Sequence, residues 1–63
     1  MSRQTHFDIA GRIQGETEKA YRFSDDDENW VWLPKSQVEV EKQPDGTVIV
    51  TAPEWLLEEK GLI

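Results

Sequence analysis

The stretch Tyr21 to Leu33, YRFSDDDENWVWL, limits the possible folds more than any other part of the chain. Tyr21 and Phe23 precede four consecutive acids, Asp25, Asp26, Asp27 and Glu28, and Trp30 and Trp32 follow them. A β-hairpin buries rings at that spacing and pushes the charged run out to its tip. Tyr21 and Phe23 alternate with Arg22 in the two-residue period of a half-buried strand, set at about Thr17 to Ser24. Ser24 to Asn29 is rich in residues that bond their own backbone in turns, so it is the loop. In Trp30-Val31-Trp32-Leu33 the tryptophans take one face and Val31 and Leu33 the other. Both faces being apolar, this strand is expected at the centre of the sheet, ended by Pro34, which cannot donate to a ladder.

Beyond Pro34 the signals are local. Lys35-Ser36-Gln37 makes a turn, and Val38-Glu39-Val40-Glu41 alternates with valines inward and glutamates outward. Pro44-Asp45-Gly46 is a turn signal between this strand and Thr47 to Ala52, whose Val48, Ile49 and Val50 favour the pleated conformation. Thr51 followed by Glu54 has the form of a capping box with Pro53 in the first turn. A short helix is expected from there to Gly61, with Trp55, Leu56 and the stem of Lys60 toward the sheet. Gly61 suits a helix terminus, and Leu62 the apolar contact after it. Residues 1–15 alternate weakly around Phe7, Ile9 and Ile13, and are either a loose arm or an extra strand. The expected fold is α+β: one domain over 1–63, with a small antiparallel sheet of three or four strands and one short C-terminal helix.

A chain of 63 residues supports only a small core, and with no cysteine and His6 as its only histidine it can use neither disulfides nor a cysteine zinc site. The longest apolar run, Trp30 to Leu33, is far short of the roughly 20 residues that cross a bilayer. The first residues hold no apolar export segment, so a cytoplasmic location is expected. The net charge is −6, and it is uneven: residues 1–15 hold two basic and one acidic side chain, residues 16–63 five basic and twelve acidic. Such a surface repels nucleic acid and anionic membranes and steers basic partners inward. Solubility alone also explains a charge of this size.

Catalysis is not expected, since His6 lies in the least regular segment and a sheet this small offers no deep cleft to set one carboxyl against another. The tetrad lacks the alternate acids and central glycine of a calcium loop, so no metal or other cofactor is expected. Tyr21, Trp30 and Trp32 suit either the core or a peptide platform, and for so small a domain we expect core. The remaining feature is the acids as a surface. Glu39 and Glu41 lie about 7 Å apart on one strand face, a spacing comparable to that of phosphates along a nucleic-acid strand. With Asp25, Asp26, Asp27 and Glu28 at the hairpin tip and Glu16 and Glu18 on the adjoining strand, they form the candidate partner-binding set. The tetrad, lying outside the core, is expected to tolerate reversal to lysine without loss of fold.

From Glu16 onward the chain resembles a known group. Thr17-Glu18-Lys19-Ala20, Val31-Trp32-Leu33-Pro34-Lys35-Ser36-Gln37-Val38-Glu39, Pro53-Glu54-Trp55-Leu56-Leu57 and Lys60-Gly61-Leu62-Ile63 are similar to small acidic proteins of phages and mobile elements, among them type I-C anti-CRISPR proteins that act as DNA mimics. The resemblance covers roughly three quarters of the chain. It implies inhibition of a type I CRISPR surveillance complex (Cascade) in the cytoplasm of the bacterial host. The chain would act as a monomer on the basic surface of the large subunit where the PAM duplex enters. The shared stretches hold core, turn and helix residues and none of Asp25 to Glu28, so the tetrad's part rests on charge alone. The alternative is a small SH3-like adaptor that binds a peptide through Tyr21, Trp30 and Trp32.

Overall fold

A computed structural model describes residues 5–63, so positions 1–4 of the N-terminal segment lie outside the described residues. Among the described residues five strands form one antiparallel sheet: β1 (His6–Glu16), β2 (Ala20–Ser24), β3 (Val31–Pro34), β4 (Glu39–Lys42) and β5 (Val48–Pro53). A helix, α1 (Glu54–Glu59), follows, and a 3-10 turn, Lys35–Gln37, joins β3 to β4. The expected α+β class holds, with five strands rather than three or four.

The order across the sheet is β3-β2-β1-β5-β4, which makes the N-terminal segment a strand, one of the two outcomes expected for it, and overturns the central place expected for Trp30 to Leu33. The weakly patterned segment is the central strand, and Trp30 to Leu33 lies at an edge. The N-terminal half of β1 pairs with β5, from His6↔Pro53 to Gly11↔Val48, and its C-terminal half pairs with β2, from Arg12↔Ser24 to Glu16↔Tyr21. A register shift between Ile13 and Gly15 leaves Gln14 as an extra residue, so Glu16 and Tyr21 share the inner face.

The register assigns the faces. Ile9↔Val50, Gly11↔Val48, Ile13↔Phe23, Tyr21↔Leu33 and Val40↔Val50 form the inner rows. Phe23, Leu33, Val38, Val48, Val50 and Ala52 are buried there with Leu56 and Leu57 of α1. Truncating a side chain such as Leu57 or Phe23 costs about 2–5 kcal/mol, and a domain this small commands only about 3–5 kcal/mol, so no core residue is spare.

The tryptophans are not that core. Trp32 and Trp55 are each 47% exposed, and Trp30 is half-buried. At the edge only the Leu33 side of β3 meets the core, and α1 turns Leu56 and Leu57 inward, which carries Trp55 outward. No capping box forms either: Thr51 lies within β5, its hydroxyl donating to Asp8, and Pro53 occupies the N-cap without a side-chain bond. The Glu54 N–H donates instead to the Thr5 carbonyl. The helix ends as expected, with Gly61 at φ 75° and the Gly61 and Leu62 N–H groups donating to the Glu58 and Leu57 carbonyls.

Candidate partner surface on the outer sheet face

The outer face is built by the alternate positions of the same strands. Glu39 sits opposite Thr51 on β5, and Thr51 sits opposite Asp8 on β1, so the three form one row across β4, β5 and β1. Glu41, Ile49 and Ala10 form the next row. Glu39 and Glu41 are about 7 Å apart along β4, and Asp8 lies two strand spacings away, about 10 Å. A shallow depression of about 530 Å³ is lined by Asp8, Glu39, Val40, Glu41, Ile49 and Thr51. Among the described residues none of these three carboxylates has an ion-pair partner. Asp8 is the member that sequence reasoning missed. Its membership depends on pairing with Thr51, 43 positions away, and the only local signal was the alternation Phe7-Asp8-Ile9.

The other predicted acids fall elsewhere and do different things. Glu16 ends β1 on the inner side, where the Lys35 ammonium bonds and pairs with it. That hydrogen bond and the lysine's charge lower the Glu16 pKa. Lys35 also lies over the Tyr21 ring, 4.9 Å from its centroid. Glu18 is not on a strand. It occupies the β1–β2 turn, where the Thr17 N–H donates to the Ala20 carbonyl and the Thr17 hydroxyl accepts from Lys19 and Ala20. Glu16 stands roughly 25 Å of strand from Asp8, so neither glutamate adjoins Glu39 and Glu41 as expected.

The tetrad is not four equivalent charges. Asp26 Oδ1 accepts the Glu28 and Asn29 N–H groups, each at 2.9 Å, and the Ser24 hydroxyl at 2.9 Å, while Oδ2 accepts the Asn29 side-chain amide at 3.0 Å. These donors, the Asn29 and Glu28 N–H groups foremost, hold the Asp26 carboxyl far below the usual carboxylate range. Asp26 is therefore the staple of the loop, and the expectation that the whole tetrad can be reversed without cost to the fold is corrected for this position. Asp27, at φ 61°, pairs with Arg12 at 3.5 Å. Asp25 and Glu28 remain as exposed charges.

A depressed pKa stabilises the folded chain above the unfolded value near pH 4, and that contribution is lost as pH falls further. The Glu28 and Asn29 amides should accordingly stay protected from hydrogen exchange from pH 7 down to about 4 and open only in stronger acid. Asp26→Ala should abolish that protection at every pH and lower the melting temperature, whereas Asp25→Ala should change neither. Unchanged exchange in Asp26→Ala would show that the loop is held by something else.

Two further features complete the surface. Arg22 lies over Trp30, 5.6 Å from the ring centroid, and sits opposite Trp32 on the outer face. Tyr21 points to the inner face, so Tyr21, Trp30 and Trp32 do not form one platform. At the β4–β5 turn, Gly46 at φ 91° follows Asp45, whose carboxyl is lowered by the Thr47 hydroxyl and backbone N–H. Among the described residues no three His, Asp or Glu side chains converge as metal ligands, and no helix is long and apolar enough to cross a membrane. No family model, no curated protein and no solved structure matches this chain.

Proposed function

We propose that this chain is a non-enzymatic inhibitor that acts as an acidic DNA mimic. It lays the outer face of β1, β5 and β4 on the basic DNA-binding surface of a type I CRISPR surveillance complex and blocks entry of target DNA. The observation that carries this reading is the convergence of Asp8, Glu39 and Glu41 on one open sheet face, without an ion-pair partner among the described residues, in a chain of net charge −6. A rigid sheet fixes the backbone positions that carry such charges, so binding orders only their side chains. A groove lined with lysine and arginine attracts them at long range and is left with its charges compensated. The large subunit of a type I-C complex as target, and a phage protein in the host cytoplasm as setting, rest on the resemblance of the Thr17 to Ala20, Val31 to Glu39, Pro53 to Leu57 and Lys60 to Ile63 stretches. Asp25, Asp27 and Glu28 extend the acidic field beside Arg12, while Glu16 and Glu18 contribute only net charge.

The test is target-DNA binding by the purified type I-C surveillance complex, titrated with this protein at two salt concentrations. DNA should be displaced, and the concentration needed should rise steeply with salt, because exposed charges beyond a Debye length of about 8–10 Å are screened. Undisturbed DNA binding in the presence of folded protein would overturn the reading.

A second reading is favoured by one observation, the 47% exposure of Trp32 beside Arg22. An adaptor would use Trp30, Trp32 and Arg22, without Tyr21, to hold a peptide. Trp32→Ala separates the two readings, since it would remove peptide binding and leave DNA displacement intact.

A further inference from the structure

The sheet ends at β4, and the hydrogen-bonding alternation along that strand identifies which of its backbone groups are free. The Gln43 N–H donates to the Thr47 carbonyl at 2.9 Å, so these two residues oppose each other as a hydrogen-bonded pair. Such pairs alternate with non-hydrogen-bonded ones in an antiparallel ladder. Along the register, Lys42↔Val48 and Val40↔Val50 are then the non-hydrogen-bonded pairs, with Glu41↔Ile49 and Glu39↔Thr51 bonded. Residues in a non-hydrogen-bonded pair direct their N–H and C=O away from each other. For Val40 and Lys42 those groups point off the edge of the sheet, and among the described residues they take part in no turn, loop or cap bond.

The two sides of this edge differ in chemistry. Glu39 and Glu41 project on the outer side, both exposed. Val40 and Lys42 project on the inner side and border a cleft of about 660 Å³ whose walls mix Ile13, Tyr21 and Val48 with the charged Glu16. An antiparallel strand laid along β4 would therefore set every second side chain opposite Glu39 and Glu41 and the intervening ones opposite Val40 and Lys42, over the cleft. β3, the opposite edge, offers less, since Pro34 at its end has no N–H.

We propose that the free edge of β4 accepts one extended segment of a partner protein, in which basic side chains alternate with apolar ones, as an added strand of the sheet. This rests on the reading of the acidic outer face as a partner surface and states how a partner holds it. Charge decides against a second copy of this chain as the occupant. Antiparallel pairing of two β4 edges centred on Val40 sets Glu39 of each copy directly opposite Glu41 of the other, and like charges directly opposite are destabilising.

The first test is amide NMR of the isotopically labelled protein with a short synthetic peptide of alternating lysine and valine. The valines would face the cleft and pair directly with Val40 and Lys42, so their N–H groups are the ones that bond β4. The Val40 and Lys42 amides should shift and gain exchange protection. Methylating the valine nitrogens should weaken binding about tenfold or more, methylating the lysine nitrogens should not, and a glutamate–valine peptide should not bind. Equal binding of both methylated peptides, or shifts that leave Val40 and Lys42 unmoved, would reduce the interaction to charge attraction and overturn strand addition.

The second test is Val40→Pro in the DNA-displacement assay. It removes the outward N–H and keeps every carboxylate, and proline is tolerated at edge positions whose N–H faces outward. A folded Val40→Pro protein should lose about tenfold in potency. If it inhibits like the wild type while reversal of Glu39 and Glu41 abolishes inhibition, the acidic face stands and strand addition falls. Loss of neither would sink both readings. A Val40→Pro chain that does not fold leaves the decision to the methylated peptides, which need no variant.

Discussion

Gly11→Ala should unfold most of the protein at room temperature, while Gly15→Ala, four positions along the same strand, should be close to neutral. A β-carbon on Gly11 would stand 2.3 Å from the Ser24 carbonyl oxygen and 2.6 Å from Cζ of the Phe23 ring. Nothing lies within 4 Å of the corresponding position on Gly15. Gly11 is the residue at which β1 leaves β5 for β2, and the ring of Phe23, fully buried, lies directly against its backbone. Overpacking ordinarily costs about 1–3 kcal/mol. Here the nearest obstacle is backbone, so β2 itself must move, and the upper end of that range or beyond is expected. Set against about 3–5 kcal/mol for a domain of this size, little remains. Chemical denaturation followed by circular dichroism reads both variants directly. Adding Phe23→Leu should not rescue Gly11→Ala, because the Ser24 carbonyl stays in place. A Gly11→Ala protein with a wild-type midpoint would show that the two halves of the sheet do not approach as described.

The second large effect is functional. On the proposed reading as a DNA mimic, Glu39→Lys with Glu41→Lys should abolish displacement of DNA from the surveillance complex, by about a hundredfold or more in potency, since like charges brought together in an interface cost several kcal/mol. Each reversal adds two units, so the pair takes the net charge from −6 to −2. Glu58→Lys with Glu59→Lys makes the same change on the exposed side of α1 and is the control. If both pairs weaken inhibition equally, only bulk charge matters and the β4 face has no special part. If the β4 pair alone fails, arrangement matters. Asp25→Lys with Glu28→Lys should fall between the two. Reversing all four tetrad acids would be uninformative, since Asp26→Lys removes the acceptor around which the loop is wound.

What could be read from the sequence follows from the range of the interactions concerned. The hairpin of β2 and β3, the turn at Asp45-Gly46 and the helix terminus at Gly61 are specified within a few residues, and all are present. The N-terminal segment was harder because its inner positions, Phe7, Ile9, Gly11 and Ile13, include a glycine where the pattern wanted an apolar side chain. That glycine is there because Phe23 fills the space. Its outer positions mix Asp8, Ala10 and Arg12, which blurs the alternation further. The two-sided apolar pattern of Trp30 to Leu33 misled in the opposite direction, since an exposed Trp32 on an edge strand reads the same as a buried one. For the surface, Glu39 and Glu41 were legible from strand alternation alone. Asp8 was not, because its neighbours come from strands at the other end of the chain.

The position of β1 at the middle of the sheet also governs when the acidic face comes into being. As the chain emerges during synthesis, β1, β2 and β3 have local partners and can form a meander at once. The row of Asp8, Thr51 and Glu39 waits for β5, made after the other described strands, to insert between β1 and β4. Such long-range pairing is the slow part of folding. A nascent or truncated chain ending before Val48 carries most of the negative charge without the spacing that makes it a surface. The protein thus gains most of these charges early and their arrangement later, at the moment β1 and β5 are joined in one sheet.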